Sequence, residues 1–337
     1  MCLIAMAWST SAQFPLVIAA NRDEFYARPT APLAQWTAHA GNTAASQLNT
    51  SQPNTSQPTT SPSNPGHTII SGRDLQDGGT WMGFSPSGRF AMLTNVRNPT
   101  ATVPSQPLSR GHLVVDWLSS QATADSWAAQ RDFAAYAGFN LIVGDWSNQQ
   151  LHYLSNQAQA QSQTQGQVQD HAAQSPAAAA KPQALQSGHI VGLSNAALNT
   201  PWPKTTRLTA VLGQALNAAD TDYAQSCVRV GEHMGTGAGA KTADLTAGDL
   251  TARLQHALQD RHPAPDAALP HTGVTPEQEK MLSSIMVSSP TYGTRTSLVA
   301  VLDQHGMLHL LEATHSTPLL NAAATQRSLA IQWPMAR

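Results

Sequence analysis

The second residue of the chain is a cysteine, and a small residue there permits removal of Met1. The mature chain then opens on a thiol and a free α-amine carried by one residue. A thiolate is a good nucleophile near neutral pH, and an α-amine with a reference pKa of about 7.7–8.0 can act as the thiol's own general base. No catalytic histidine is required. The competing reading makes Cys2 a small apolar residue in a buried first strand, where free cysteines are common.

A second polar cluster, Asn21-Arg22-Asp23-Glu24, follows Val17-Ile18-Ala19-Ala20. Arg22 can orient a thiolate or clamp a carboxylate, and Asp23 can accept from an α-ammonium and hold it. The plain alternative is a capped turn with a surface ion pair. Gly78-Gly79-Thr80-Trp81 lacks the GxxxxGK[ST] pattern and any helix signal behind it, so it is not a phosphate loop. Its glycines permit close backbone approach, and Trp81 belongs in the core or in a pocket wall. The 13 histidines are scattered without an HExxH pair, and two cysteines give neither a disulfide framework nor a CxxC zinc site. No metal and no cofactor is expected.

The elements that must position these residues are short. Met1 to Trp8 and Pro15 to Ala20 read as a hairpin that leaves Asn21–Glu24 at a strand end beside Cys2. Residues 78–83 and 88–95 read as a second hairpin about Pro86-Ser87-Gly88. Ser109 reads as the N-cap of an amphipathic helix carrying Leu113, Val114, Trp117 and Leu118, with a second helix over residues 125–136. Strands follow at 139–144, 151–154 and 189–195. Pro203 opens a helix with Leu208, Val211, Leu212 and Leu216 on one face, and 250–258 reads as another. Residues 295–302 and 307–312 form a last hairpin. This order predicts an α+β fold of antiparallel sheets covered by helices.

Residues 41–66 and 155–187 are low in complexity, the second with Gln at every odd position from 157 to 169. They read as insertions in a single domain, disordered or, for the second, a solvated hairpin extension. With 18 basic and 20 acidic residues the charge balance points to neither nucleic acid nor an anionic membrane. The first residues lack a signal-peptide pattern and no apolar run has spanning length, so a cytoplasmic protein without stable membrane insertion is expected.

Across this span the chain resembles the NRDE family, also called the transport-and-Golgi-organisation protein 2 family. The motifs that carry the resemblance are Met1-Cys2, the stretch 19–26 with Arg28-Pro29, residues 78–83, Leu93-Thr94-Asn95, Ser109-Arg110-Gly111, residues 138–141, 192–196, Thr200-Pro201-Trp202-Pro203-Lys204 and 292–296. The resemblance implies a four-layer αββα sandwich of the N-terminal-nucleophile hydrolase type. Family members are linked by name to membrane traffic and, in some eukaryotes, to haem and lipid homeostasis, so a carrier of haem or acyl-CoA stands as the alternative to an enzyme. A more distant similarity to choloylglycine hydrolases and penicillin V acylases implies a catalytic set of Cys2, Arg22, Asp23, Asn95, Asn195 and Arg295. It implies attack on a linear amide or thioester, with the Asn195 side chain and a backbone donor on the oxyanion. The candidate substrate contacts are Asn21, Glu24, Gly79, Thr80, Trp81 and Tyr292.

Overall fold

A computed structural model describes residues 2–38, 66–157, 180–231, 238–317 and 323–336. β1 (Cys2–Trp8) and β2 (Leu16–Phe25) form the expected first hairpin, flanked by β10 (His189–Leu193) on one side and β11 (Tyr292–Leu302) on the other. β12 (Met307–Thr314) and β13 (Thr325–Gln332) complete a six-stranded sheet. The second sheet has seven strands in sequence order: β3 (Thr30–Ala38), β4 (His67–Asp74), β5 (Met82–Phe84), β6 (Arg89–Asn95), β7 (Phe139–Asp145), β8 (Gln150–Ser155) and β9 (Gln183–Ala184). All the strand pairings in both sheets are antiparallel. The low-complexity segments lie mainly outside the described residues; at the edge of the second, residues 183–184 pair with β8.

The strand period of two assigns the layers. Ile4, Met6 and Trp8 share one core with Met82, Phe84, Phe90 and Met92, which places the sheets face to face. Leu3, Ala5 and Ala7 point the other way, onto Leu208, Leu212 and Leu216 of α3 (Pro203–Gly231) and Leu250 and Leu254 of α4 (Ala238–Ala257). The outer face of the second sheet packs Ala91, Leu141 and Val143 against α1 (Gly111–Leu118) and Trp127 of α2 (Ala124–Ala129). The fold is therefore the αββα sandwich the resemblance implied.

Three local expectations are corrected. Asn21–Glu24 does not follow a strand end: β2 runs to Phe25, and Asn21, Arg22 and Asp23 are all buried. A strand paired on both sides supplies the backbone partners that let polar residues remain within it. Ser109 does not cap α1; Arg110 occupies that position without a side-chain cap. The helix expected over 125–136 breaks after Ala129 and resumes only as a 3-10 turn at Phe133–Ala135, where Asp132 caps the turn.

One end of the sandwich is plugged by rings. Trp8 meets Trp146 edge-on at 5.6 Å and Phe90 at 5.8 Å, and Phe90 stacks on Trp333 at 6.1 Å. Gly144 is required there, since a Cβ on it would fall 2.1 Å from the Phe90 ring. Cys2 stands at the opposite end of β1, where the space between the sheets is left open.

His315, just past β12, shares a hydrogen bond with Ser297 Oγ at 2.9 Å, and burial, aided by Arg261, pushes its pKa down to about 4. The unfolded chain takes up this proton near its ordinary value of 6.5, the folded chain only near 4. The unfolded state thus binds more protons in that window, so stability falls on acidification through it, by a total approaching about 3 kcal/mol. Urea unfolding across the window should show this slope, and His315→Gln should flatten it.

Candidate functional site

Cys2 pairs with Arg22 across β1 and β2, so both side chains leave the same face of the sheet. That face is the inner one, and together they border a cavity of about 490 Å³. The first sheet adds Asp23, Glu24, Thr296 and Glu312; the second adds Thr30, Arg73, Asp74, Leu93 and Asn95. Thr80, Trp81 and the start of α1 form the remaining wall. Gly79 lets these last two segments meet, because a Cβ on it would lie 2.6 Å from the Gly111 carbonyl carbon.

The backbone carbonyl of Cys2 accepts from Ser194 Oγ at 3.0 Å, a hydroxyl also 3.2 Å from Asn195 Oδ1. Asn195 Nδ2 donates to the Asn95 carbonyl at 2.9 Å, and Thr94 Oγ1 donates to the Ser194 carbonyl at 2.5 Å. Asn140 donates to both Thr94 Oγ1 and the Ala196 carbonyl, and Tyr153 OH donates to Asn140 Oδ1 at 2.6 Å. This polar seam ties the end of β10 in one sheet to the ends of β6 and β7 in the other. It fixes the cavity floor.

Arg22 reaches Glu24 at 3.5 Å and Asp74 at 3.6 Å, while Arg28 holds Asp74 and Asp77 at 2.7 Å each. Burial, with Asp23 adding to it, pushes the Cys2 thiol up to about 11 against the pull of the N-terminal ammonium and, more weakly, of Arg22. Enclosure outweighs a guanidinium that is already turned toward two carboxylates.

Asp23 leaves the outer face of β2, accepts from Thr294 Oγ1 at 2.8 Å and has its pKa raised by burial despite the opposing charge of Lys204. The structure brings Cys2, Arg22, Asp23, Glu24, Asn95, Thr80 and Trp81 to one cavity. It sets the other candidates apart from it. Asn21 faces the helical layer, donating to the Leu258 and Ile285 carbonyls at 2.9 Å. Asn195 is fully enclosed behind Asn95. Arg295 is the bulged residue between Thr294 and Thr296, and its guanidinium turns to the Tyr26 carbonyl and ring. Tyr292 donates to the Asp23 carbonyl at 3.2 Å from behind, and Gly79 acts through its backbone.

Sequence reasoning did not rank Arg110, Lys204 or Glu312. Arg110 lines the cavity and donates to the Gly138 carbonyl at 3.0 Å; Lys204 lies buried beyond Asp23. Both stand inside the motifs Ser109–Gly111 and Thr200–Lys204, which was the available signal. Glu312 gave none: it is one carboxylate in an apolar strand, accepting from Leu33 N at 2.6 Å. Among the described residues no group of three His, Cys, Asp or Glu is placed to hold a metal ion, and no helix is long and apolar enough to cross a membrane.

A family model described as Transport and Golgi organisation 2 matches residues 1–55 and 49–317. Similar curated proteins include the Transport and Golgi organization protein 2 homolog of Bos taurus, 27% identical over 310 residues, covering 89% of this chain and 86% of the relative. The Homo sapiens homolog is 27% identical over 311 residues with the same coverage. Transport and Golgi organization protein 2 of Drosophila melanogaster is 23% identical over 333 residues, covering 93% of this chain and 92% of the relative. A solved mutant of the conjugated bile acid hydrolase from Clostridium perfringens aligns with a TM-score of 0.41 at 8% identity, over 98% of this chain and 92% of that one.

Proposed function

The chain belongs to the Transport and Golgi organisation 2 family, and on that premise we propose that it is an amidohydrolase-like enzyme that cleaves a linear amide or thioester through a mature Cys2. The observation that carries the reading is the placement of the Cys2 side chain in a cavity wall with Arg22 and Asn95 while its own carbonyl is pinned by Ser194. Once Met1 is gone, the α-amine of Cys2 takes the thiol proton and the thiolate attacks the carbonyl carbon. Asn95, in the wall, with a backbone N–H, supports the oxyanion, and Asn195 holds Asn95 in place. The α-ammonium returns its proton to the leaving amine or thiol, and water then hydrolyses the acyl-enzyme thioester.

A carrier is favoured by one observation, the burial of the Cys2 thiol, which pushes it up to about 11 in the unprocessed chain. Haem fits this cavity poorly. Four carboxylates border it, from Glu24, Asp74, Asp77 and Glu312, and the Nε2 of His112, the histidine in its wall, is engaged by the Asp77 carbonyl at 2.7 Å. An acyl thioester held without cleavage is the better form of that alternative.

Intact mass and the pH profile of Cys2 alkylation separate the two. The enzyme reading expects a mass without Met1 and a thiol that reacts near neutral pH. Functional protein that retains Met1, with a thiol that reacts only in strong alkali, would falsify it.

A further inference from the structure

Lys204 sits at the start of α3, delivered there by Thr200-Pro201-Trp202-Pro203 directly after β10. β10 pairs with β1, and Gly192 lets α3 lie close on β10, since a Cβ there would stand 2.5 Å from Thr205 Cγ2. The first turn of the helix is thereby pressed over the outer face of β1 and β2. A lysine normally lets its ammonium reach water along a flexible stem. This one is 2% exposed, and its Nζ makes no hydrogen bond among the described residues.

An enclosed ammonium is costly unless an opposite charge stands near it. Among the described residues the charged and titratable groups that act on it are Cys2 on β1, Asp23 on β2, Arg97 beyond β6, and Glu279 on α5 (Pro276–Leu282). Glu279 is already bound to Arg97 at 3.0 Å. Asp23 is the strongest of the attractive partners, and Lys204 is in turn the strongest charge favouring ionised Asp23. Burial nevertheless pushes the lysine down to about 8 and the aspartate up, so the charge of each depends on the other. Asp23 borders the cavity and Lys204 does not.

We propose that Lys204 is a positioning residue of the Cys2 centre: enclosed behind Asp23, it keeps that carboxylate charged, so that Asp23 can hold the Cys2 α-ammonium formed when the amine takes the thiol proton. This rests on the nucleophile reading given above. The proton moves from sulfur to nitrogen and back, and Lys204 neither gives nor takes one. Its contribution is the counter-charge. Without it, Asp23 takes a proton from solvent, the ammonium loses its acceptor and the thiolate–ammonium pair becomes scarce.

The test is site-resolved alkylation of Cys2 by iodoacetamide as a function of pH, read by peptide mass spectrometry, with thermal melts alongside. The proteins are the processed wild type, Lys204→Met, Asp23→Asn and the double variant. Lys204→Met should slow Cys2 alkylation near neutral pH by about tenfold or more, yet melt no lower than wild type, because an apolar chain of similar length replaces an enclosed ammonium. Asp23→Asn should slow it comparably. The double variant should be no slower than the slower single, because both act through one pair. If Lys204→Met does not fold, Lys204→Gln takes its place in the same cycle. A wild-type rate in the folded lysine variant, or losses that multiply in the double variant, overturns the proposal. A wild-type Cys2 that does not react is a different failure: it removes the nucleophile itself, and this role of Lys204 goes with it.

Discussion

Cys2→Ala should abolish turnover on linear amides and thioesters while leaving the fold in place. Loss of the attacking atom in a hydrolase that forms a covalent intermediate lowers kcat by at least about 10⁴-fold, because the thiolate that would form the acyl bond is gone. Arg22 beside it cannot substitute: the guanidinium is no nucleophile and is engaged by Glu24 and Asp74. The structural cost is limited, since Cys2, although buried in the core between the sheets, borders the cavity on one side. A melt within a few degrees of wild type together with no turnover on a panel of acyl-amides and acyl-thioesters is the expected pair of results. Turnover that survives within about tenfold would show that the chemistry lies elsewhere, and the carrier reading would then account for the cavity.

Much of this site was legible in the strand period. A first hairpin was expected to bring Asn21–Glu24 beside Cys2, and the structure registers Arg22 opposite Cys2. What misled was the polarity of Asn21–Glu24, which reads as a strand end. Only the two-sided pairing of β2, with β11 arriving from the far end of the chain, supplies enough partners for three consecutive polar residues to be buried. The same long-range contact decides Arg295. The distant resemblance puts it among the catalytic candidates, but the bulge in β11 turns its guanidinium to the Tyr26 carbonyl. β3 and β4 pair across residues 39–66, and β13 is a mostly exposed edge strand, so neither local alternation nor turn chemistry marked them. Lys204 shows a different limit. Its place in a motif was visible, but that its ammonium is sealed follows from how closely α3 sits on β10.

The two asparagines should separate under mutation because the structure gives them different neighbours. Asn95 ends β6 in the cavity wall, whereas Asn195 is fully enclosed and spends Nδ2 on the Asn95 carbonyl. If Asn95 supports the oxyanion, Asn95→Ala should lower kcat by about 10²–10³-fold, the cost of one such donor, with KM and melting temperature little changed. Asn195→Ala should instead cost stability, by about 1–3 kcal/mol, since it leaves the Asn95 carbonyl without its donor and removes an acceptor from the Ser194 hydroxyl. Because Ser194 also holds the Cys2 carbonyl, part of that disturbance reaches the nucleophile, and a smaller fall in kcat should accompany the loss of stability. Urea unfolding and steady-state kinetics on both variants measure the split. If Asn195→Ala proved the more damaging to kcat and kept wild-type stability, the oxyanion role would pass to Asn195, and its amide would have to leave the Asn95 carbonyl and turn into the cavity when substrate binds.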